Sequence, residues 1–256
     1  MLGEELVKLH DAPRIVPRFS ERYPELTPES GYAAARMLHA HRVKLGWRPV
    51  GRKIGFTNRT LWERYGVHEP MWGMVYDRTL VTAQNDRAQV SLEGLVQPRI
   101  EPEVCFKLRA VPSSSDMEEL ISCIEWMAHS VEIVQCHHPE WKVTISDCTT
   151  DNGLHGRLIL GSPVELKNAD ELPALKAKLF KAEGLVDEGV GANVLGSPLL
   201  SLGFLIDVLE KQPEATPLRA GEIITTGVLT DAHPVRAGEM WRTEVSGFPG
   251  LTILFK

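Results

Sequence analysis

Ten residues constrain the fold of this chain more than any others: Arg99-Ile100-Glu101-Pro102-Glu103-Val104-Cys105-Phe106-Lys107-Leu108. Read as a strand, they put Glu101, Glu103, Cys105 and Lys107 on one face, with Pro102, Val104, Phe106 and Leu108 on the other. Two carboxylates then stand about 6 to 7 Å apart along one face, where they repel unless water or a cation lies between them. Oxygen donors of this kind suit a hard cation, Mg²⁺ or Mn²⁺. By itself such a pair is more often the solvated end of a strand, since an exposed Glu is the ordinary state of Glu.

Two further ionisable residues lie in apolar surroundings. Glu132 sits in Ser130-Val131-Glu132-Ile133-Val134, where an unpaired carboxylate would be costly to bury unless its side of the strand faces water. Lys53 lies in Val50-Gly51-Arg52-Lys53-Ile54-Gly55, and an edge-strand lysine that discourages aggregation is the plainer account of it. The polar run Asp147-Cys148-Thr149-Thr150-Asp151-Asn152-Gly153-Leu154-His155-Gly156 either lines a site or connects elements at the surface. His137-His138 and the other histidines show no zinc-protease spacing. Dinucleotide, P-loop and serine-elbow motifs are absent.

The remaining pattern mixes helices with short strands. Thr27 caps a helix opened by Pro28 and stopped at Gly46, and Thr57 or Asn58 caps a short one ending near Gly66. Ser115 and Glu118 form a capping box for a helix running to about Met127. Strands are expected at Trp72–Tyr76, Thr79–Ala83, Val131–Cys136, Leu158–Leu160 and Leu175–Phe180, and an apolar helix from Ser197-Pro198 to near Lys211. Arg219-Ala220-Gly221-Glu222 and Arg236-Ala237-Gly238-Glu239 read as twin tight turns leading into strands. This points to an α+β domain, a rolled or sandwiched sheet with peripheral helices. At 256 residues it is one domain, with residues 1–80 mostly helical and residues 81–256 the β-rich core.

A formal charge of −6 with dispersed Lys and Arg argues against nucleic acid as a partner. No stretch is read as a membrane span or secretory signal, and four cysteines without a CxxC pair read as buried thiols of a reducing, cytoplasmic compartment.

In order and spacing these pieces resemble the 2-oxopent-4-enoate hydratase and 4-oxalocrotonate decarboxylase family of the fumarylacetoacetate hydrolase-like superfamily. The resemblance runs from Lys53-Ile54-Gly55-Phe56-Thr57 through Gly66-Val67, Pro70, Gly73 and Glu101-Pro102-Glu103. It continues through Glu132-Ile133-Val134, Trp141-Lys142, Asp147, Asp151-Asn152 and Leu160-Gly161 to Gly196-Ser197-Pro198-Leu199 and Thr226-Gly227. It implies a mixed β-roll flanked by helices and assembled as a homo-oligomer. It also implies a metal held by Glu101, Glu103 and Glu132, a catalytic Lys53, and substrate contacts at Asp151, Asn152 and Thr226. The family's acidic residue after Gly-x-Leu corresponds to Asp77, one position early, and is expected to be catalytic. Where family hydratases carry Asp-Asn-Ala-Ser-Ser-Gly, this chain places His155, expected to move protons at the far end of the substrate. The family's Glu-Ile-Val-Asp-Ser-Arg here becomes Glu132-Ile133-Val134-Gln135-Cys136-His137.

A 2-oxo acid chelates Mg²⁺ through its carboxylate and keto oxygens, and the cation stabilises an enolate. That chemistry serves a hydratase (a hydro-lyase) acting on a small 2-oxo-alkenoate in the catabolism of aromatic or related compounds, which is the first reading. A C–C hydrolase, decarboxylase or tautomerase on a related keto acid is the second. A structural partner of an active paralogue is the third, and the intact glutamate triad argues against it.

Overall fold

The structure is a computed structural model and describes residues 1–59, 62–65 and 69–256. The helices are α1 (Leu2–Asp11), α2 (Phe19–Arg22), α3 (Pro28–Lys44), α4 (Trp62–Tyr65), α5 (Met117–Cys123), α6 (Ile145–Thr150) and α7 (Pro198–Glu210). The strands are β1 (Pro49–Gly55), β2 (Met71–Tyr76), β3 (Leu80–Thr82), β4 (Arg87–Val90), β5 (Arg99–Leu108), β6 (Ile124–Val134) and β7 (His155–Val164). They continue with β8 (Lys176–Lys181), β9 (Gly184–Val190), β10 (Ile223–Val228), β11 (His233–Pro234), β12 (Met240–Val245) and β13 (Leu251–Phe255).

The larger sheet runs β2-β1-β10-β5-β6-β7-β3, with β11 added to β5, and the smaller runs β4-β13-β12-β8-β9. The alternation of β5 decides what each face meets. Ile100, with Val131 and Ile133 of β6, packs against Trp241, Leu251, Ile253 and Phe255 of the smaller sheet. Further along that face Val104, Phe106 and Leu108 join α5 and α7 through Leu120, Leu199, Leu202 and Leu205. The opposite face carries the carboxylates. Sheets packed face to face with helices outside are the expected α+β roll.

Local chemistry explains most element ends. The Thr27 side chain accepts from Ser30 N, Pro28 opens α3, and Gly46 after its end has φ +81°. Gly221 and Gly238, at φ +88° and +87°, make the twin turns, and in each the glutamate that follows accepts a backbone N–H three residues back, Arg219 and Arg236.

Two expectations need correction. α5 starts after Asp116, not at Ser115, and stops at Cys123 because Ile124 to Met127 belong to β6, pairing with β5. The division at residue 80 cuts through the larger sheet, to which β1 and β2 belong. Gly191–Glu210 is long and apolar enough to match a membrane span, but half of it is buried and α7 packs into the core. The helix expected after Thr57 and Asn58 is seen only as α4, and its end near Gly66 lies outside the described residues.

Candidate active site

The site is built by strand register. In the antiparallel β5–β6 ladder Glu101 stands directly opposite Glu132, and Glu103 opposite Ser130, so all three carboxylates emerge from one face. β10 lies on the other side of β5 and carries a register irregularity between Thr225 and Val228. There Gly227 adopts φ +111°, and its N–H donates to Glu103 Oε2 at 3.0 Å, alongside the Thr225 hydroxyl. β1 pairs in parallel with β10, setting Lys53 beside Thr225 and bringing its ammonium to the same face.

One oxygen from each of Glu101, Glu103 and Glu132 lies within 4.8 Å of the others. Glu103 and Glu132 are 0% exposed, whereas Glu101 borders the cavity. Glu103 Oε1 and Glu132 Oε2 are buried without a hydrogen-bond partner among the described residues. Burying like charges opposite one another is unfavourable unless a cation neutralises them, and a hard divalent cation suits an all-oxygen set. The residues therefore fit the Mg²⁺ or Mn²⁺ expected from the sequence.

Lys53 Nζ donates to the Gly153 carbonyl at 2.9 Å and lies 3.3 Å from Glu132 Oε2, an ion pair without hydrogen-bond geometry. Burial pulls its pKa down, but Glu132, Glu101 and Glu103 outweigh burial and hold it above the ordinary lysine value. Without a metal, the three carboxylates thus favour the ammonium form of Lys53. Burial, opposed by Lys53 and reinforced by Glu132, pushes Glu101 up to about 7. Burial, reinforced by Glu132 and Glu101, pushes Glu103 well above the usual carboxylate range.

Lys53 and Glu101 open into a cavity of about 120 Å³ walled by Met71, Val134, Trp141, Val143, Leu154 and Val228. Arg99, Thr57 and Asp231 also reach it, and the Arg99 guanidinium sits 4.3 Å above the Trp141 ring. These wall residues were missed by sequence reasoning, although Arg99 was legible. It stands two residues before Glu101 on the same strand, hence on the same face.

Five of the expected site residues lie elsewhere or do other work. Asp77 is at the far end of the β1–β2 ladder from Lys53, accepting from Arg48 N and Arg48 Nε. His155 is behind Glu132: its Nδ1 meets Glu132 Oε1 at 2.8 Å and its Nε2 meets Thr79 Oγ1 at 2.8 Å. It is 1% exposed and does not border the cavity, so it orients a carboxylate rather than serving the far end of a substrate. The Asn152 side chain grips Met74 N and Met74 O. Asp151 is enclosed by His10 and His137, and Thr226 Oγ1 donates to Val104 O. None of these three side chains borders the cavity.

No protein-family model matches this chain. A 2-keto-4-pentenoate hydratase from Dechloromonas aromatica is 31% identical over 230 residues, covering 89% of this chain and 86% of that protein. The chain belongs to the 2-keto-4-pentenoate hydratase family. A 2-hydroxyhexa-2,4-dienoate hydratase from Comamonas testosteroni is 28% identical over 99% of this chain and 96% of its own length. Among solved structures, 4-oxalocrotonate decarboxylase from Pseudomonas putida G7, complexed with magnesium and adipate, superposes with TM-score 0.92 at 25% identity. It is covered to 96%, against 100% of this chain. A fumarylacetoacetate hydrolase family protein from Yersinia pestis, 12% identical, covers 81% of this chain and 93% of its own length at TM-score 0.56. That likeness is one of fold alone, and the hydratase family fold seen here is fumarylacetoacetate hydrolase-like.

Proposed function

We propose that this chain is a divalent-metal-dependent hydratase of a small 2-oxo-alkenoate of the 2-hydroxypenta-2,4-dienoate type, serving the breakdown of aromatic or related compounds. The register that sets Glu132 opposite Glu101, with Lys53 Nζ at 3.3 Å from Glu132, carries this reading. Relatives named as hydratases of such acids support it. Glu101, Glu103 and Glu132 would hold Mg²⁺ or Mn²⁺, which when bound would supply Lewis-acid polarisation of the substrate's keto oxygen.

The protein's own groups do the rest. Lys53, cationic and desolvated, places a fixed positive charge where negative charge develops on that oxygen. The Gly153 carbonyl holds the ammonium in place. Met71, Val134, Val143 and Leu154 enclose the hydrocarbon tail and keep bulk water away, which strengthens each electrostatic contact. His155 fixes the rotamer of Glu132 by hydrogen bonding to the oxygen that Lys53 does not face. A cytoplasmic location belongs to the same proposal, supported by the four free, buried cysteines, and so does the homo-oligomer that the family resemblance implies.

The test is turnover of 2-hydroxypenta-2,4-dienoate by purified protein with and without Mg²⁺, followed as loss of dienol absorbance with water added to the alkene. Absorbance loss that requires the cation supports the proposal. The likeness to a decarboxylase favours one alternative, so CO₂ release from a 2-oxo-enedioate is measured in parallel. CO₂ release without hydration would replace hydratase by decarboxylase.

A further inference from the structure

A second cluster of ionisable side chains lies outside the site: His10 on α1, His137 after β6 and Asp151 at the end of α6. The Asp151 carboxylate is sandwiched, Oδ1 at 2.7 Å from His10 Nε2 and Oδ2 at 2.7 Å from His137 Nδ1. Although these three could in principle hold a cation, the proton arrangement opposes it. Arg42 Nη2 lies 3.0 Å from His10 Nδ1, and a guanidinium only donates, so Nδ1 accepts and Nε2 carries the proton given to Asp151. No lone pair remains on His10 Nε2 for a metal. The cluster is a hydrogen-bonded relay, Arg42 to His10 to Asp151, met from the other side by His137.

What the relay holds is unusual. Directly after Asp151, Asn152, Gly153 and Leu154 have φ of +50°, +66° and +61°, three consecutive left-handed residues of which two carry a Cβ. Such a turn persists only where its surroundings over-determine it. Asn152 is gripped by Met74 on one side, Gln135 N donates to Leu154 O on the other, and Gly73 packs so closely on the Asn152 carbonyl that a Cβ there would come within 2.2 Å of it. The middle residue, Gly153, presents the carbonyl that receives Lys53 Nζ. The turn is therefore the seat of the catalytic ammonium, and Asp151 is its anchor.

We infer that His10, His137 and Asp151 are positioning residues for Lys53, acting through the Asn152–Leu154 turn, so that the N-terminal helix α1 is a working part of the active site. This rests on the role given to Lys53 under the proposed function. The metal carboxylates stand on β5 and β6 and take no contact from the relay, so the two supports are separable. A displacement of about 1 Å in a positioned group is enough to cost on the order of a hundredfold in rate.

The experiment compares Asp151→Asn, His10→Ala, His10→Gln, His137→Ala and His137→Asn. Gln and Asn place an amide N–H where Nε2 and Nδ1 donate, so they are the rescuing variants. Expected are a fall in kcat of roughly tenfold or more in Asp151→Asn and both Ala variants, with KM and calorimetric Mg²⁺ affinity near wild type. His10→Gln and His137→Asn should recover most of the lost kcat. A second readout needs no substrate: the acylation rate of Lys53 by an amine-directed reagent, followed by peptide mass spectrometry with Lys107 as internal reference. It should rise several-fold in His10→Ala, which removes one of the two contacts to Asp151 and is the variant to use if Asp151→Asn does not fold. Unchanged kcat and unchanged Lys53 labelling in folded His10→Ala would overturn the inference. So would loss of Mg²⁺ binding in step with kcat, or failure of both amide variants to rescue. If wild-type protein turns over no 2-oxo acid, the functional reading fails while the labelling arm still decides the positioning.

Discussion

At the scale of single residues, the dominant fact is like charge gathered out of water. Glu101, with its pKa raised to about 7 chiefly by burial, binds more protons folded than unfolded between about pH 4.5 and 7. Its contribution to stability is therefore lost as pH rises through that window. Replacing it by Gln removes the penalty. Metal-free Glu101→Gln should melt above the wild type at pH 8 and together with it near pH 4, as scanning calorimetry can show. Mg²⁺ is expected to raise the wild-type Tm, because a ligand that binds only the folded state stabilises it, and the same variant should lose that rise. A Tm rise with Mg²⁺ equal to that of the wild type would remove Glu101 from the metal site. Lys53→Ala should lower kcat about a hundredfold or more without moving KM far, the scale of a positioned charge or acid–base group. His155→Ala should leave Lys53 in place but free the Glu132 carboxylate to rotate. Mg²⁺ affinity is then expected to weaken about 10–100-fold by titration calorimetry, the usual cost of losing a group that orients a ligand.

At the scale of elements, the irregularity in β10 does what regular pairing would not. It turns the Gly227 N–H onto Glu103 and lets β10 pass against Thr57. A Cβ on Gly227 would fall 1.9 Å from Thr57 Oγ1, and φ +111° is a conformation that other residues rarely adopt. Gly227→Ala should therefore cost roughly 1–3 kcal/mol of stability in urea titration and weaken Mg²⁺ binding as well, since the backbone shift it forces carries the residue-227 N–H away from Glu103. Stability that falls without any change in metal affinity would show that Glu103 does not depend on that amide. The cap of α3 offers a contrast. Thr27→Ala should cost about 1 kcal/mol and leave metal affinity unchanged, because its hydroxyl serves only the first turn of that helix.

At the scale of the whole molecule, buried histidines tie stability to pH. Burial holds His10 and His129 down at about 4, below the ordinary imidazole value near 6.5. Each binds fewer protons folded than unfolded in that window, so its contribution is present above about pH 6.5 and lost as pH falls towards 4. Wild-type protein should lose more of its urea midpoint between pH 6.5 and 4.5 than His129→Gln, and equal losses would show that His129 is already charged in the fold. The alternation of Arg99–Leu108 by itself determined a strand with Glu101 and Glu103 on one face, because side-chain direction in a strand has a period of two residues and needs no partner. Thr27-Pro28, Ser197-Pro198 and the two Arg-Ala-Gly-Glu turns were likewise legible, since caps and turns are satisfied within a few residues. Family likeness supplied Glu132 and Lys53 as companions, but only the register of β6 and β1 against β5 and β10 brought them within ion-pair distance. Asp151, Asn152, Thr226, Asp77 and His155 read as site residues because they are polar and lie in or near the family's motifs. Their hydrogen-bond partners come from residues such as His10, Met74, Val104 and Arg48, distant in sequence from the residues they hold. Which polar side chain faces a substrate and which holds the backbone is decided by those long-range partners, and the tertiary structure alone places them.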